Sequence, residues 1–494
     1  MSKQQKYLLA IDQGTTSSRA VIYNEKLQPL AQQGKEFKQH FPNNGWVEHD
    51  PEDIWETTLH SCREAIKEAE IEASALGGIG ITNQRETTLL WDRKNGEVLH
   101  KAIVWQDRRT ADYCQQLKDK DLEPFFQKRT GLLLDPYFSG TKLAWLLDNV
   151  EGARERAEDG ELCFGTVDSY LLWRFTKGKV HATDASNASR TLMMNLETRE
   201  WDGELLEKLN IPASLLPEIR DNTSDFGYTD KEWLGAEVPI CAMVGDQQGA
   251  LIGQACIEAG MLKSTYGTGC FALLNTGQDI IRSDNRLLST LAYQLDGEAY
   301  YALEGSIFMA GAIIQWLRDS LGMLEEAAES EALAEDIGYE QSEIMVPAFT
   351  GLGAPYWDPD ARAAILGMTR DTSREHLAAA ALRSVAYQSL DLVHAMHNDG
   401  QKVEALRVDG GMTENDWFLQ ALADITGCPI ERAAISEATS FGAAFLAGLQ
   451  SGMFKKLSDI SELHKVDKTF KPEISSEQRD KLRSVWLAAI DKVR

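Results

Sequence analysis

The chain has 494 residues, 43% apolar and 26% charged, a composition that excludes a disordered or collagen-like protein. That length exceeds what one hydrophobic core usually serves and predicts two or three domains. With 50 basic and 76 acidic residues the net charge is −26, which repels phosphate backbones and argues against nucleic-acid binding. Any anionic ligand therefore needs a local cradle.

The start, Met1-Ser-Lys-Gln-Gln-Lys6, leads into an apolar run, Tyr7–Ile11, that stops after five residues at Asp12, too short for a signal peptide. Tyr7–Ile11 and Arg19–Tyr23 read as buried strands around a small polar turn, residues 12–18. A helix opens at Asp50 with Pro51 in its first turn, and Trp55, Leu59, Cys62, Ile66 and Ala69 share one face. Ile79–Ile81 and Thr88–Trp91 return to strands, so the order predicts a mixed α/β layer.

The same grammar recurs later. Met261–Thr265 and Phe271–Asn275 flank the turn Tyr266-Gly267-Thr268-Gly269-Cys270. A long helix runs from Arg374 to about Met396, with Thr372 and Glu375 placed as a capping box. Leu406–Asp409 is a strand, and a helix through Phe418, Leu422 and Ile425 stops at Gly427. Two Gly/Thr turns in corresponding places predict an internal duplication with a boundary near residue 250 and a cleft between the halves. The charged stretch Lys455–Arg494 reads as a surface helical tail.

No run reaches the roughly 18 apolar residues of a membrane span; the longest uncharged stretches, Gly305–Leu317 and Ala438–Phe454, contain Gln, Ser and Gly. Seven cysteines without CxxC or CxxH spacing predict reduced thiols in a cytoplasmic protein and no zinc site.

Several segments carry chemistry. Asp12-Gln13-Gly14-Thr15-Thr16-Ser17, with Arg19 beyond, offers amides, hydroxyls and a cation to a phosphate, or is simply a polar hairpin turn. It is not a Walker loop, because GxxxxGK[ST] is absent. Paired turns of this kind suggest facing hairpins that grip one nucleotide, as in actin-like and hexokinase-like ATPases. Val408-Asp409-Gly410-Gly411 with Asn415 is either an adenosine wall or a strand-to-helix loop needing positive φ. Asp246 in Gly245-Asp246-Gln247-Gln248 is a helix cap or a carboxylate facing the cleft. Arg85-Glu86 is a surface ion pair or a donor fork and acceptor for a polyol.

Taken together, the residues match a pattern. Residues 12–19, 45–50 and 81–88, Asp135–Lys142, Gly245–Gln248, Tyr266–Phe271, Pro347–Trp357 and Val408–Gly411 resemble the FGGY carbohydrate kinases over nearly the whole chain. Tyr137–Trp145 and Ala364–Ala381 fit the two family-wide signatures. Asn-Gln-Arg-Glu (83–86) and Asp-Pro-Tyr-Phe-Ser-Gly-Thr (135–141) are similar to the branch that phosphorylates glycerol rather than pentuloses or gluconate.

The resemblance implies an α/β protein of two actin-like, ribonuclease H-like domains, 1–252 and 253–494, around a deep cleft. The activity implied is ATP-dependent phosphorylation of glycerol to sn-glycerol 3-phosphate, with Asp246 as general base. Arg85, Glu86, Tyr137, Asp246 and Gln247 match the glycerol contacts, and Trp105 and Phe271 the apolar walls. Thr15, Thr16, Ser17, Arg19 and Thr268 match the phosphate turns, and Gly311, Gln315, Gly411 and Asn415 the remaining ATP or ADP contacts. Asp12 and Asp246 stand where carboxylates hold Mg²⁺, directly or through water. Asp416-Trp417 follows Asn415 where relatives often carry further Asn, a departure at the adenine rim.

A homodimer or homotetramer is implied as the assembly. Kinases of other small polyols (erythritol, dihydroxyacetone) and a non-catalytic regulator on the same fold are the alternatives. In some relatives the loop before the Asp246 segment binds fructose 1,6-bisphosphate through Gly-Gly-Thr-Arg, and in others it carries a phosphorylated His. Here residues 228–239 hold Asp230, Glu232 and Glu237 against Lys231, with no Arg or His. Insensitivity to both is therefore expected.

Overall fold

The computed structural model describes residues 6–435 and 437–494, so all but Lys6 of the hexapeptide that opens the chain lies outside it. Tyr7–Gln13 (β1) and Ser17–Asn24 (β2) form the predicted hairpin, with Gln13 opposite Ser18. Pro29–Glu36 (β3) continues it as an antiparallel edge strand. Nothing in the sequence marks β3, because Ala31 alone of its eight residues is buried and a solvated edge shows no apolar alternation.

Pro51–Glu68 (α1) begins where the Asp50 side chain accepts from the Glu52 amide, and buries Trp55, Leu59, Cys62 and Ile66 as read from the spacing. Leu76–Asn83 (β4) pairs parallel with β1. Ser139–Asn149 (α2) lies between β4 and Ile240–Gly245 (β5), which is parallel to β4 and leads into Asp246–Gly253 (α3). The first sheet is thus β5-β4-β1-β2-β3. The expected strand near Thr88–Trp91 is Leu89–Asp92, paired with Leu162–Gly165 outside that sheet.

Met261–Tyr266 (β6), Cys270–Gly277 (β7), Leu288–Leu295 (β8) and Glu298–Ile307 (β9) begin the second sheet. Gly311–Asp319 (α4) and Arg374–Asn398 (α5) precede Ala405–Asp409 (β10), Asp416–Thr426 (α6) and Ile430–Ala433 (β11). Ala438–Gln450 (α7), Val466–Phe470 (β12) and Ser476–Ile490 (α8) complete it. The sheet order is β8-β9-β7-β6-β10-β11-β12. The duplication is visible in the pairing. β1 has β2 antiparallel and β4 parallel beside it, and β6 has β7 antiparallel and β10 parallel.

One element crosses over. α7 packs against α3 and on β1, β4 and β5 of the first sheet. Alternation along β1 sends Leu8 and Ala10 to α7, joining Phe441, Ala444 and Phe445, and sends Leu9 and Ile11 to the α1 face, joining Ile54 and Trp55. The α3–α7 seam is closed at backbone distance. A Cβ on Gly442 would sit 2.0 Å from the Gly249 carbonyl oxygen, and one on Gly253 would sit 1.9 Å from that of Ala438.

Two expectations need correction. The capping box of α5 is formed by Ser373 and His376, while the Thr372 hydroxyl, one residue before the cap, donates to Glu343. The stretch from Lys455 is not a surface tail. β12 closes the sheet edge, and α8 buries Trp486 completely, stacked on Tyr387 at 5.2 Å with its Nε1 donating to Asp391 Oδ2 at 2.8 Å. Trp486, Ala489 and Ile490, with Leu482 and Val493, make the apolar face that docks on the core of the second half; the periodicity shows such a face but not the surface it will cover. All seven cysteines are buried free thiols, and no described helix is long and apolar enough to cross a membrane.

Candidate active site

The parallel strands β1, β4 and β5 end together at Gln13, Asn83 and Gly245. Carboxyl ends of such strands are where open α/β sheets bind ligands. The first turn is closed by the Gly14 amide on the Ser17 carbonyl at 2.9 Å. Gln84 ties it to the end of β4, its side-chain amide donating to Gln13 Oε1 at 3.0 Å and the Gly14 carbonyl at 3.1 Å. Thr16 is exposed; Thr15 and Ser17 are half-buried. Arg19 donates to both Glu437 oxygens at 2.8 Å and lies 3.5 Å from Asp12. Burial pushes the Asp12 carboxyl up to about 6, opposed by Arg19 and reinforced by Glu437 and Asp246.

Arg85, Glu86, Tyr137 and Asp246 come together beyond those strand ends. Arg85 Nε is 3.3 Å from Asp246 Oδ1, and its NH2 donates to the Tyr137 hydroxyl at 3.2 Å. Glu86 adopts φ +60°, a left-handed conformation that costs a side-chain-bearing residue about 1–2 kcal/mol. Its Oε1 accepts from Arg190 Nε at 2.7 Å. The Asp246 side chain retains 29% of its surface, yet enough protein surrounds it to raise its pKa, against the pull of Arg85 and Lys263.

Trp105 stands edge-on to Tyr137 at 5.7 Å and to Phe271 at 6.0 Å, so the two expected walls meet across the halves. Trp105 Nε1 also donates to Thr15 Oγ1 at 3.0 Å, linking a wall residue to the phosphate turn. Gln247 accepts from Lys263 Nζ.

The second turn is built the same way as the first. The Gly267 amide donates to the Gly269 carbonyl at 2.9 Å, and the amides of Ala310 and Gly311 reach back to Thr268 and Gly267. Thr268 is exposed. A cavity of about 520 Å³ opens beside it, lined by Thr268, Gly311, Gln315, Gly411 and Asn415. Gly410 holds φ +94°, and a Cβ there would lie 2.5 Å from the Tyr266 carbonyl oxygen, so only glycine lets β10 end against this turn. Asn415 Oδ1 caps α6, accepting from the Phe418 amide at 2.8 Å. At the rim, Asp416 pairs with Arg432 and Lys468 rather than facing this cavity's lining. A larger open trough of about 840 Å³ adjoins at Ala328 and Glu331; it carries mixed charges and no residue singled out as a ligand contact.

The family model "FGGY family of carbohydrate kinases, N-terminal domain" matches residues 7–253, and its C-terminal counterpart matches 262–451. The chain belongs to the FGGY family of carbohydrate kinases. A glycerol kinase of Ectopseudomonas mendocina is 58% identical to this FGGY kinase over 490 residues, 99% of each chain. Glycerol kinase 1 of Pseudomonas aeruginosa is 55% identical over 488 residues, again 99% of each. The structure of Plasmodium falciparum glycerol kinase with ADP superposes with a TM-score of 0.93 at 37% identity, covering 99% of this chain and 98% of that one.

Four buried charged residues of this FGGY kinase were not among the expected site residues. Glu304 and Arg190 are completely buried and bonded to Arg85 and Glu86. Lys263 is buried in β6; burial lowers its pKa and the charges of Asp409 and Asp246 raise it. Lys142 is driven down to about 7 by burial, against Glu86 and Asp107, and donates to three successive carbonyls. Of the four, Lys142 alone lies within a quoted motif.

Proposed function

We propose that this kinase transfers the γ-phosphoryl group of ATP to a terminal hydroxyl of glycerol, giving sn-glycerol 3-phosphate for glycerol catabolism. The observation that carries this is the convergence of Arg85, Glu86, Tyr137 and Asp246 beside Trp105 and Phe271. A triol needs several polar partners and one apolar wall, and the relatives at 55–58% identity are named glycerol kinase. Arg85, Glu86, Tyr137 and Gln247 bind and orient the hydroxyls. Asp246 accepts the proton of the attacking hydroxyl as the new oxygen–phosphorus bond forms and the bond to ADP breaks in line.

Thr15, Thr16, Ser17, Arg19 and Thr268 hold the phosphates through the two turns, while Gly311, Gln315, Gly411 and Asn415 hold the nucleoside. A cavity of about 520 Å³ is of the size that small-molecule sites take. Mg²⁺ fits the donor set. Asp12 and Asp246 offer only carboxylate oxygens, and no three His, Cys, Asp or Glu side chains among the described residues are placed as a metal cage. That suits an ion that keeps waters and phosphate oxygens and neutralises phosphoryl charge.

We further place the division of the chain at 252/253, supported by the main strands up to Gly245 joining one sheet and those from Met261 the other. The deciding experiment is ADP release with glycerol, erythritol, dihydroxyacetone or no acceptor at matched concentration. Glycerol should give the highest kcat/KM; equal or better activity on another polyol overturns the substrate.

A further inference from the structure

We infer that Glu304 is a positioning residue for the glycerol site, a carboxylate from the second half that holds Arg85 and Arg190 of the first half in place. This rests on the proposed function. Glu304 lies inside β9, opposite Leu273 of β7 and Leu288 of β8, and is 0% exposed. A lone carboxylate is not stable at such a place, so its partners define its role. Oε2 accepts from Arg85 NH1 at 2.6 Å; Oε1 accepts from Arg85 NH2 at 3.3 Å and from Arg190 NH2 at 2.7 Å.

From there the contacts run to the four polar groups of the site. Arg190 Nε donates to Glu86 at 2.7 Å, and Arg85 reaches Asp246 at 3.3 Å and Tyr137 at 3.2 Å. A guanidinium is planar, so fixing NH1 and NH2 on one carboxylate also fixes where Nε points. Glu304 thereby aims Arg85 Nε at Asp246 and leaves Tyr137 the shared NH2. Without it, Glu86 and Asp246 are the carboxylates left to two buried guanidiniums, and Arg85 keeps only the neutral acceptors Gln248 Oε1, at 3.3 Å, and the Tyr137 hydroxyl. The Arg85 fork then turns onto Asp246, the carboxylate that must stay free for the substrate hydroxyl.

The test is steady-state kinetics of full-length Glu304→Gln and Glu304→Asp, with glycerol and ATP varied separately and thermal unfolding recorded alongside. Glu304→Gln should raise the glycerol KM at least tenfold and lower kcat at least tenfold, with the ATP KM within twofold of wild type. Glu304→Asp keeps the charge on a shorter stem and should show the same split, less severely. If Glu304→Gln does not fold, Glu304→Asp and Arg190→Lys carry the test. Constants for both substrates moving together, or neither moving, would overturn the role. A wild-type chain inactive on glycerol defeats the proposed function; an active wild type whose variants show no split defeats the role of Glu304 alone.

Discussion

The Nζ of Lys142 lies 2.6 Å from the carbonyl oxygen of Tyr137, and at 2.9 Å it also serves the carbonyls of Pro136 and Phe138. One buried ammonium thus shapes the backbone that delivers the Tyr137 ring to the site. In Lys142→Met three carbonyls lose their donor at once, at about 1–3 kcal/mol for each that stays unsatisfied. The variant should melt lower and show a glycerol KM raised about tenfold or more, with the ATP KM little changed. An unchanged glycerol KM in a folded variant would separate Lys142 from the site.

Asp246→Asn keeps shape and removes the proton acceptor. General-base contributions are about 10²–10⁴-fold, so kcat should fall by that order. ADP affinity, measured by calorimetry, should stay within threefold. Near-normal turnover would remove Asp246 from its role.

His49 is buried, its Nε2 against Gln39 Oε1, and burial, helped by the His40 charge, lowers it to about 3. The unfolded chain binds a proton near pH 6.5 and the folded chain does not, so stability falls as the pH drops below 6.5. The loss from this one group is about 1.4 kcal/mol per pH unit, down to about 3. Denaturant midpoints at pH 7.5, 6.5 and 5.5 should fall between the last two. His49→Gln should reduce that slope by the stated amount, and parallel curves would refute the assignment.

Residues 228–239 lead us to predict indifference to fructose 1,6-bisphosphate. Asp230 and Glu232 engage Lys177, and the guanidinium of Arg63 is spent on the carbonyls of Glu232 and Trp233. No fork is left for a phosphate. Initial rates with millimolar fructose 1,6-bisphosphate should match those without it; saturable inhibition would show another surface binding it.

What the sequence disclosed and what it hid have a common physical basis. The two hairpins were legible as short apolar runs around a polar turn, and α1 and α6 through a one-sided apolar face with a capping residue, signals that repeat within a few residues. Arg85, Glu86 and Asp246 were legible through their motifs. Glu304 was not, since one charge inside Tyr-Ala-Leu-Glu-Gly-Ser has no local meaning and its partner Arg85 stands 219 positions away. The covering of the first sheet by α7 left no local trace either, for an apolar helix does not say which sheet it will meet.

That covering has a consequence for synthesis on the ribosome. Leu8, Ala10, Val21 and Val244 share a cluster with Phe441, Ala444 and Phe445, so the α7 side of their face stays open until residues 438–450 have been made and released from the exit tunnel. A first half completed before the second emerges therefore still lacks the α7 cover of that face. A nascent fragment ending at 252 would present that bare apolar face to chaperones.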